Sequence, residues 1–262
     1  MPKASDLSPD SRFVGLFVGR SGSGKTVAAC SFPGPIHVND FDGRIRGILG
    51  APWIDKSNIT YDYFPPKGDG LIPEINKKLE VIAIQGKVGQ LTLKTLITDS
   101  LTSQNFAFLC QSIPLTHNNG KGKWLGPISM PGPEDYGLEA QACYDYMAYL
   151  KSIPIPNIIT SAHIVDRYGK ADPTNAFSES IVIGSKLSVR DKIGENVQTH
   201  FDHVFFFEEI NDKFYVTFHG SGIARTSYVG LPNGRFDITG KSFYEELMRL
   251  TSTQKEKTNV AT

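Results

Sequence analysis

Residues Gly19 to Thr26 read GRSGSGKT, a G-x-x-x-x-G-K-[ST] spacing in which each residue type has a chemical task. Glycines let successive backbone N–H groups curl around phosphate oxygens, Lys25 reaches the β- and γ-phosphates, and the Thr26 hydroxyl takes a place on Mg²⁺. The expected ligand is ATP with Mg²⁺, held across Gly19, Arg20, Ser21, Gly22, Ser23, Gly24, Lys25, Thr26 and Val27. A second stretch, TLITDSLT from Thr95 to Thr102, is a short apolar run ending in Asp99. A carboxylate at a strand end can hold the metal through water, which makes Thr26 and Asp99 the expected metal-associated pair. Ser100 either adds a hydroxyl there or caps the next helix.

Hydrolysis also needs a group that orients or deprotonates water. In IHVNDFDGR, Asp40 and Asp42 lie at a strand end, the edge from which ligands approach an open α/β sheet. Asp42 is the first candidate for the base and Asp40 the second, with Asp62 and Asp69 further off; NDFDG also fits a simple Asx turn. His163, after NIITSA, is placed either to sense the γ-phosphate and signal to the following loop or to make a local hydrogen bond. Arg225, in GSGIARTS, is either an arginine finger supplied across a subunit interface or a surface arginine. The segment HNNGKGKW joins Lys121, Lys123 and Trp124, and Arg167, Tyr168 and Lys170 repeat that mixture. Cations for phosphates beside rings for bases are the chemistry of single-stranded DNA binding. Lys186 and Arg190, in GSKLSVRDK, form a further basic group suited to nucleotide, a neighbour or nucleic acid.

These residues need a scaffold, and the apolar runs supply one. Strands are expected at Phe13 to Val18, Ile36 to Asn39, Ile59 to Phe64, Thr95 to Thr98, Asn157 to Ala162, His203 to Glu208 and Lys213 to Phe218. Helical stretches separate the first five, among them Ile72 to Ile84 and Tyr136 to Leu150, and Ser242 to Leu250 closes the chain. Strands alternating with helices imply a mainly parallel α/β sheet, with antiparallel strands added at one edge near the C-terminus. Ser112 to Glu134 and Val165 to Ser180 read as long loops, of a length that is usually functional or disordered. Met1 to Arg12 is expected to be a flexible leader, residues 13–250 one domain, and Thr251 to Thr262 a disordered tail.

Composition narrows the function classes. Lys and Arg number 27 against 27 Asp and Glu, which excludes a protein that coats nucleic acid through general basicity. Cys30, Cys110 and Cys143 lack C-x-x-C spacing, arguing against zinc or a disulfide framework and for a reducing, cytoplasmic setting. No apolar run approaches the about 18 residues that cross a bilayer, so no membrane partner is expected.

In chain order, GRSGSGKT, NDFDG, TLITDSLT, the helix opening EDYG, NIITSAHI, GSKL, FDHVFFF and ARTS resemble the short RecA-like ATPases carried by many bacteriophages. These are known as phage nucleotide-binding or single-strand annealing recombination proteins. The resemblance spans about Phe13 to Leu250. It implies a RecA-like P-loop NTPase core with helices on both sheet faces, ATP and Mg²⁺ binding, and contact with single-stranded DNA in recombination, annealing or replication. It also implies a homo-oligomer, ring or filament, with nucleotide at subunit interfaces. Lys25 and Thr26 match the phosphate-loop pair and Asp99 the second nucleotide motif. Asp42 falls where related hexameric motors place a catalytic glutamate, His163 where a γ-phosphate sensor stands, and the two long loops where DNA-binding loops stand. There are two departures. Asp42 is shorter than Glu, and Ile223 stands where relatives often carry a lysine, which leaves Arg225 as the only candidate finger and makes slow hydrolysis the expectation. Competing readings are an ATPase acting on protein partners, as a loader, assembly or packaging factor, and a small-molecule kinase. The kinase reading needs an arginine-rich lid, and Val165 to Ser180 holds only Arg167.

Overall fold

The computed structural model describes residues 12–66, 70–117, 123–125, 128–171, 174, 179–220, 223–228 and 231–259. Strand β1 (Phe13–Gly19) is buried along its whole length, as a strand with a parallel neighbour on each side and helices over both faces must be. Those neighbours are β7 (Asn157–Lys170) and β9 (His203–Ile210). From β7 the parallel ladder continues through β4 (Thr95–Asp99) and β2 (Ile36–Asp40) to the edge strand β3 (Ile59–Tyr63). On the other side β10 (Lys213–Thr217), β11 (Arg225–Thr226) and β12 (Arg235–Asp237) add antiparallel. The chain is therefore α/β, with a mixed and mostly parallel sheet in the order β12-β10-β9-β1-β7-β4-β2-β3.

Alternation along the strands divides the core in two. Leu16, Val18, Leu96 and Ile158 face α2 (Leu71–Lys87), α3 (Leu101–His117), α4 (Asp135–Ser152) and α5 (Asp191–Val197). Phe17, Ile97, Ile159 and Phe205 face α1 (Lys25–Ala29) and α6 (Phe243–Asn259). This second layer is aromatic: Phe17, Phe205, Phe207 and Phe243 are each fully buried with ring centroids 4.9–5.9 Å apart. Each such ring contributes about 1.5–3 kcal/mol by burial, which fixes β1 and β9 side by side beneath the phosphate-loop sequence.

Three expectations need correction. Ser112 to Glu134 is not a continuous loop: α3 runs on through Pro114 to His117, and Lys123–Leu125 (β5) pairs antiparallel with Ile128–Met130 (β6). Tertiary demand explains the longer helix, because the Gln111 side chain accepts from Leu71 N at 2.8 Å and so caps α2. Val165 to Ser180 is strand at both ends, since β7 continues to Lys170 and β8 (Ser180–Leu187) folds back on it. The last helix does not stop at Leu250; α6 reaches Asn259, propagating from the buried Phe243 and Leu247, with Thr251 and Ser252 hydroxyls donating to the Leu247 and Met248 carbonyls.

Candidate functional site

The phosphate-loop sequence leaves β1 at Gly19 and turns sharply, with Gly22 and Gly24 at φ of 84° and 86°, a region closed to most side chains. Gly19 can carry no Cβ, since the Phe207 carbonyl oxygen and Ser23 Oγ occupy that place. Such a turn points backbone N–H groups inward as an anion nest. Lys25 Nζ folds back over it, donating to Gly19 O at 2.9 Å and Arg20 O at 2.7 Å. Burial lowers the Lys25 pKa to about 8, against the pull of Asp99 and Asp42. Its hydrogen-bond partners, these two carbonyls and Ser23 Oγ at 3.4 Å, are neutral, so the ammonium carries charge for a polyanion in the nest, offset only by the coulombic pull of Asp99 and Asp42.

Thr26, on the first turn of α1, donates through Oγ1 to Asp99 Oδ2 at 2.7 Å. Ser161, on β7, donates to the other carboxylate oxygen. Burial raises the Asp99 pKa, and the Ser161 and Thr26 hydrogen bonds work against that rise. A divalent cation nearby would stabilise the ionised form instead, so the pair suits Mg²⁺ chemistry. Among the described residues no group of three or more His, Cys, Asp and Glu could hold a metal by itself. A phosphate-bridging Mg²⁺ needs none, because it takes few protein ligands and draws the rest from phosphate and water. The donor set of Thr26 and Asp99 therefore fits the expected ion.

The third group is Asp42. The turn NDFDG is stitched to the end of β4, as Phe41 N and Asp42 N both donate to Asp99 O at 2.6 and 3.1 Å. Asp42 Oδ1 accepts from Ser100 Oγ at 2.9 Å, and Oδ2 lies 2.9 Å from His163 Nε2. Burial works to raise this carboxyl, but hydrogen bonds from His163, Ser103 and Ser100 outweigh it and hold the pKa at about 2. An ionised carboxylate only accepts, so Nε2 is the donor. His163 Nδ1 is buried without a hydrogen-bond partner. His163 is also held by its backbone, whose N–H donates to Thr102 Oγ1 at 3.0 Å.

Asp40, the second candidate base, is a turn residue. Its carboxylate accepts from Gly43 N at 2.7 Å, Ile45 N at 3.2 Å and Arg44 N at 3.4 Å, which is the Asx-type role. Asp62 pairs with Lys78 at 2.5 Å and His37 at 3.3 Å in a separate cavity of about 640 Å³ between β3 and α2. Asp69 lies outside the described residues.

Arg225 does not join the site of its own chain. It sits opposite Val204, near the start of β9, and its guanidinium donates to the Gln198 and Phe201 carbonyls. The arginine over the loop is one the sequence reading missed: Arg44 Nη1 donates to Ser21 Oγ at 2.6 Å. It stands two residues beyond Asp42 on the same turn, but nothing in its local sequence shows that this turn lies over Ser21. Arg20 turns its side chain outward to Asp166 of β7 at 2.5 Å, and Val27 lies on α1 behind the loop.

The expected nucleic-acid residues divide. Lys121 lies outside the described residues, and Lys123 and Trp124 are described as backbone of β5. Arg167, Tyr168 and Lys170 lie on the outer part of β7, where it pairs with β8 as a two-stranded ribbon. Lys186, on β8, pairs with Asp191 at 2.7 Å. Arg190 is structural, binding buried Glu139 at 2.8 Å and lying 4.7 Å from the Tyr136 ring centroid. No helix of the described residues is long and apolar enough to cross a membrane. Comparison of the chain with protein-family models and with curated proteins gives no match.

Proposed function

We propose that this chain is a RecA-like P-loop protein that binds ATP with Mg²⁺, hydrolyses it slowly, and uses the nucleotide state to control binding of single-stranded DNA. The observation that carries the reading is the 2.7 Å bond from Thr26 Oγ1 to Asp99 Oδ2, which brings together two motifs 73 residues apart, as a shared metal site would require. The sheet order supports the RecA-like assignment, because β7 stands between β1 and β4 and delivers Ser161 and His163 to the same edge.

In this mechanism Mg²⁺ neutralises the developing phosphate charge when bound. The loop amides and Lys25 hold the phosphates, and Thr26 and Asp99 hold the metal. Asp42 positions water. Hydrogen bonds hold its pKa at about 2, which makes it a poor proton acceptor at neutral pH and makes slow turnover the expectation. His163 ties Asp42 down, so a γ-phosphate competing for the His163 N–H changes both the acid and the strand that follows. Arg44 supplies positive charge from the same chain, in place of the finger across a subunit interface that the sequence had offered in Arg225. Homo-oligomerisation with nucleotide at subunit interfaces remains part of the proposal through the family resemblance, as does the phage recombination or replication setting in a host cytoplasm.

Lys25→Ala should abolish ATP binding, measured by calorimetry; full retention sinks the scheme. Single-strand binding should be salt-sensitive and weakened by neutralising Lys121, Lys123, Arg167 and Lys170, and a gel shift showing none in any nucleotide state removes that half. One observation favours the second reading, an ATPase acting on protein partners. The β7–β8 ribbon exposes Val165, Tyr168, Ile181, Val182 and Ile183, an apolar set better suited to a protein surface than to a sugar-phosphate backbone.

A further inference from the structure

Beside the phosphate loop lies a cavity of about 230 Å³ that the groups acting on phosphate leave untouched. Three of its wall residues, Gly24, Val27 and Ala28, belong to the loop and α1 themselves. Facing them are Trp53, from the segment after the turn that carries Asp42, Phe214 of β10, and Lys241 and Phe243 near the start of α6. The Phe214 ring lies against the loop backbone, since a Cβ on Gly24 would stand 3.2 Å from its Cδ1. Trp53 is 36% exposed, so the indole is presented to an incoming molecule while remaining part of the wall. Asp42, Asp99 and His163 are not among the lining residues, so the cavity is distinct from the phosphate-cleaving cluster.

We propose that this cavity takes the nucleobase of the nucleotide whose phosphates the loop holds, with the base stacked on the Trp53 and Phe214 rings. The inference rests on the phosphate-loop reading and extends it to the other end of the ligand. Continuity selects the occupant: a molecule held by the amides around Gly24 has its next atoms opening onto this cavity. The wall chemistry selects a flat aromatic heterocycle, because two rings and aliphatic groups offer π-face and dispersion contacts. No carboxylate or amide side chain lines the cavity, so recognition comes from stacking and shape. Lys241, whose Nζ donates to the Asp237 carbonyl at 3.2 Å, keeps further N–H donors for a ring nitrogen or ribose oxygen.

Calorimetric titration of ATP and of inorganic tripolyphosphate, each with Mg²⁺, into the full chain and its Trp53→Ala and Trp53→Phe variants tests this. ATP should bind at least about tenfold more tightly than tripolyphosphate, by the ordinary strength of base stacking. Trp53→Ala should remove most of that advantage and leave tripolyphosphate affinity unchanged, while Trp53→Phe keeps it. Equal affinity for the two ligands, or an ATP advantage untouched by Trp53→Ala, overturns the proposal and leaves the phosphate loop standing. Failure of both ligands to bind overturns the phosphate-loop reading and the nucleobase pocket with it.

Discussion

In the proposed nucleotide site, Lys25 should make affinity depend on pH in a direction that follows from its surroundings. Burial among neutral carbonyls lowers its pKa to about 8 in the free protein, and a bound triphosphate would restore it toward the ordinary value or beyond. The sign is then fixed: affinity is full below about pH 8 and is lost as pH rises, because binding must take up a proton. At about pH 7 the free ammonium is almost wholly charged; at about pH 9 roughly nine-tenths of it is neutral, so affinity falls about tenfold, or about 1.4 kcal/mol. The thiols do not interfere with this window, since burial pushes Cys30 and Cys143 up to about 12 and raises Cys110 as well. Calorimetry in two buffers of different ionisation enthalpy should show uptake of about 0.9 proton at about pH 9 and almost none at about pH 7. Lys25→Arg, which does not titrate in this range, should flatten the profile whatever its absolute affinity. Affinity unchanged between the two pH values, with no proton uptake, would refute the assignment of Lys25 as the phosphate-binding ammonium.

Further outcomes can be checked in the same preparations. Asp99→Asn should leave nucleotide binding weakly dependent on Mg²⁺ and lower turnover by at least about 10²-fold; a normal Mg²⁺ titration in that variant counts against the Thr26–Asp99 metal pair. Arg44→Ala should lower turnover by about tenfold or more, whereas Arg225→Ala should act mainly on stability through its lost carbonyl bonds, so the reverse pattern in an ATPase assay restores Arg225 as the finger. Burial holds His203 neutral with its pKa near 4, against the pull of Asp202, as it stacks on Phe13 and Tyr228 at 4.8 and 4.3 Å. Its folded pKa is depressed, so stability is lost as pH falls from about 6.5 toward about 4, by about 2 kcal/mol at about pH 5. Urea unfolding of His203→Phe should lack that share of the loss.

The parallel strands were legible because each is a short apolar run bounded by turn residues, and β1, β4 and the core of β7 fall within a residue of the expected starts. The outer half of β7 was not. Residues Asp166 to Lys170 have no periodicity of their own and become strand only through β8, a partner whose exposed Ile181, Val182 and Ile183 read ambiguously in isolation. The meeting of Thr26 with Asp99 was legible, because a loop leaving one strand and a carboxylate ending another share the same edge of a parallel sheet. Arg44 was hidden for the opposite reason: only the tertiary stitching of Phe41 and Asp42 to the Asp99 carbonyl brings that turn over Ser21. Asp40 shows the limit of composition, since two acids on one turn divide into a turn-former and a site residue by which backbone N–H groups each one meets.

Strand β7 runs unbroken from Asn157 to Lys170, and that continuity makes it a lever. Its inner half is clamped between β1 and β4, His163 stands at the edge of the clamp, and the seven residues beyond it reach about 23 Å. A tilt of about 5° at His163 therefore carries Lys170 by about 2 Å, enough to make or break a hydrogen bond at the far end. A deletion of one residue between His163 and Arg167 would invert which of Arg167, Tyr168 and Lys170 faces which side while leaving the phosphate-loop sequence intact. In the proposed switch, length and register of this arm, rather than any single contact along it, would set what the far end reports about the nucleotide.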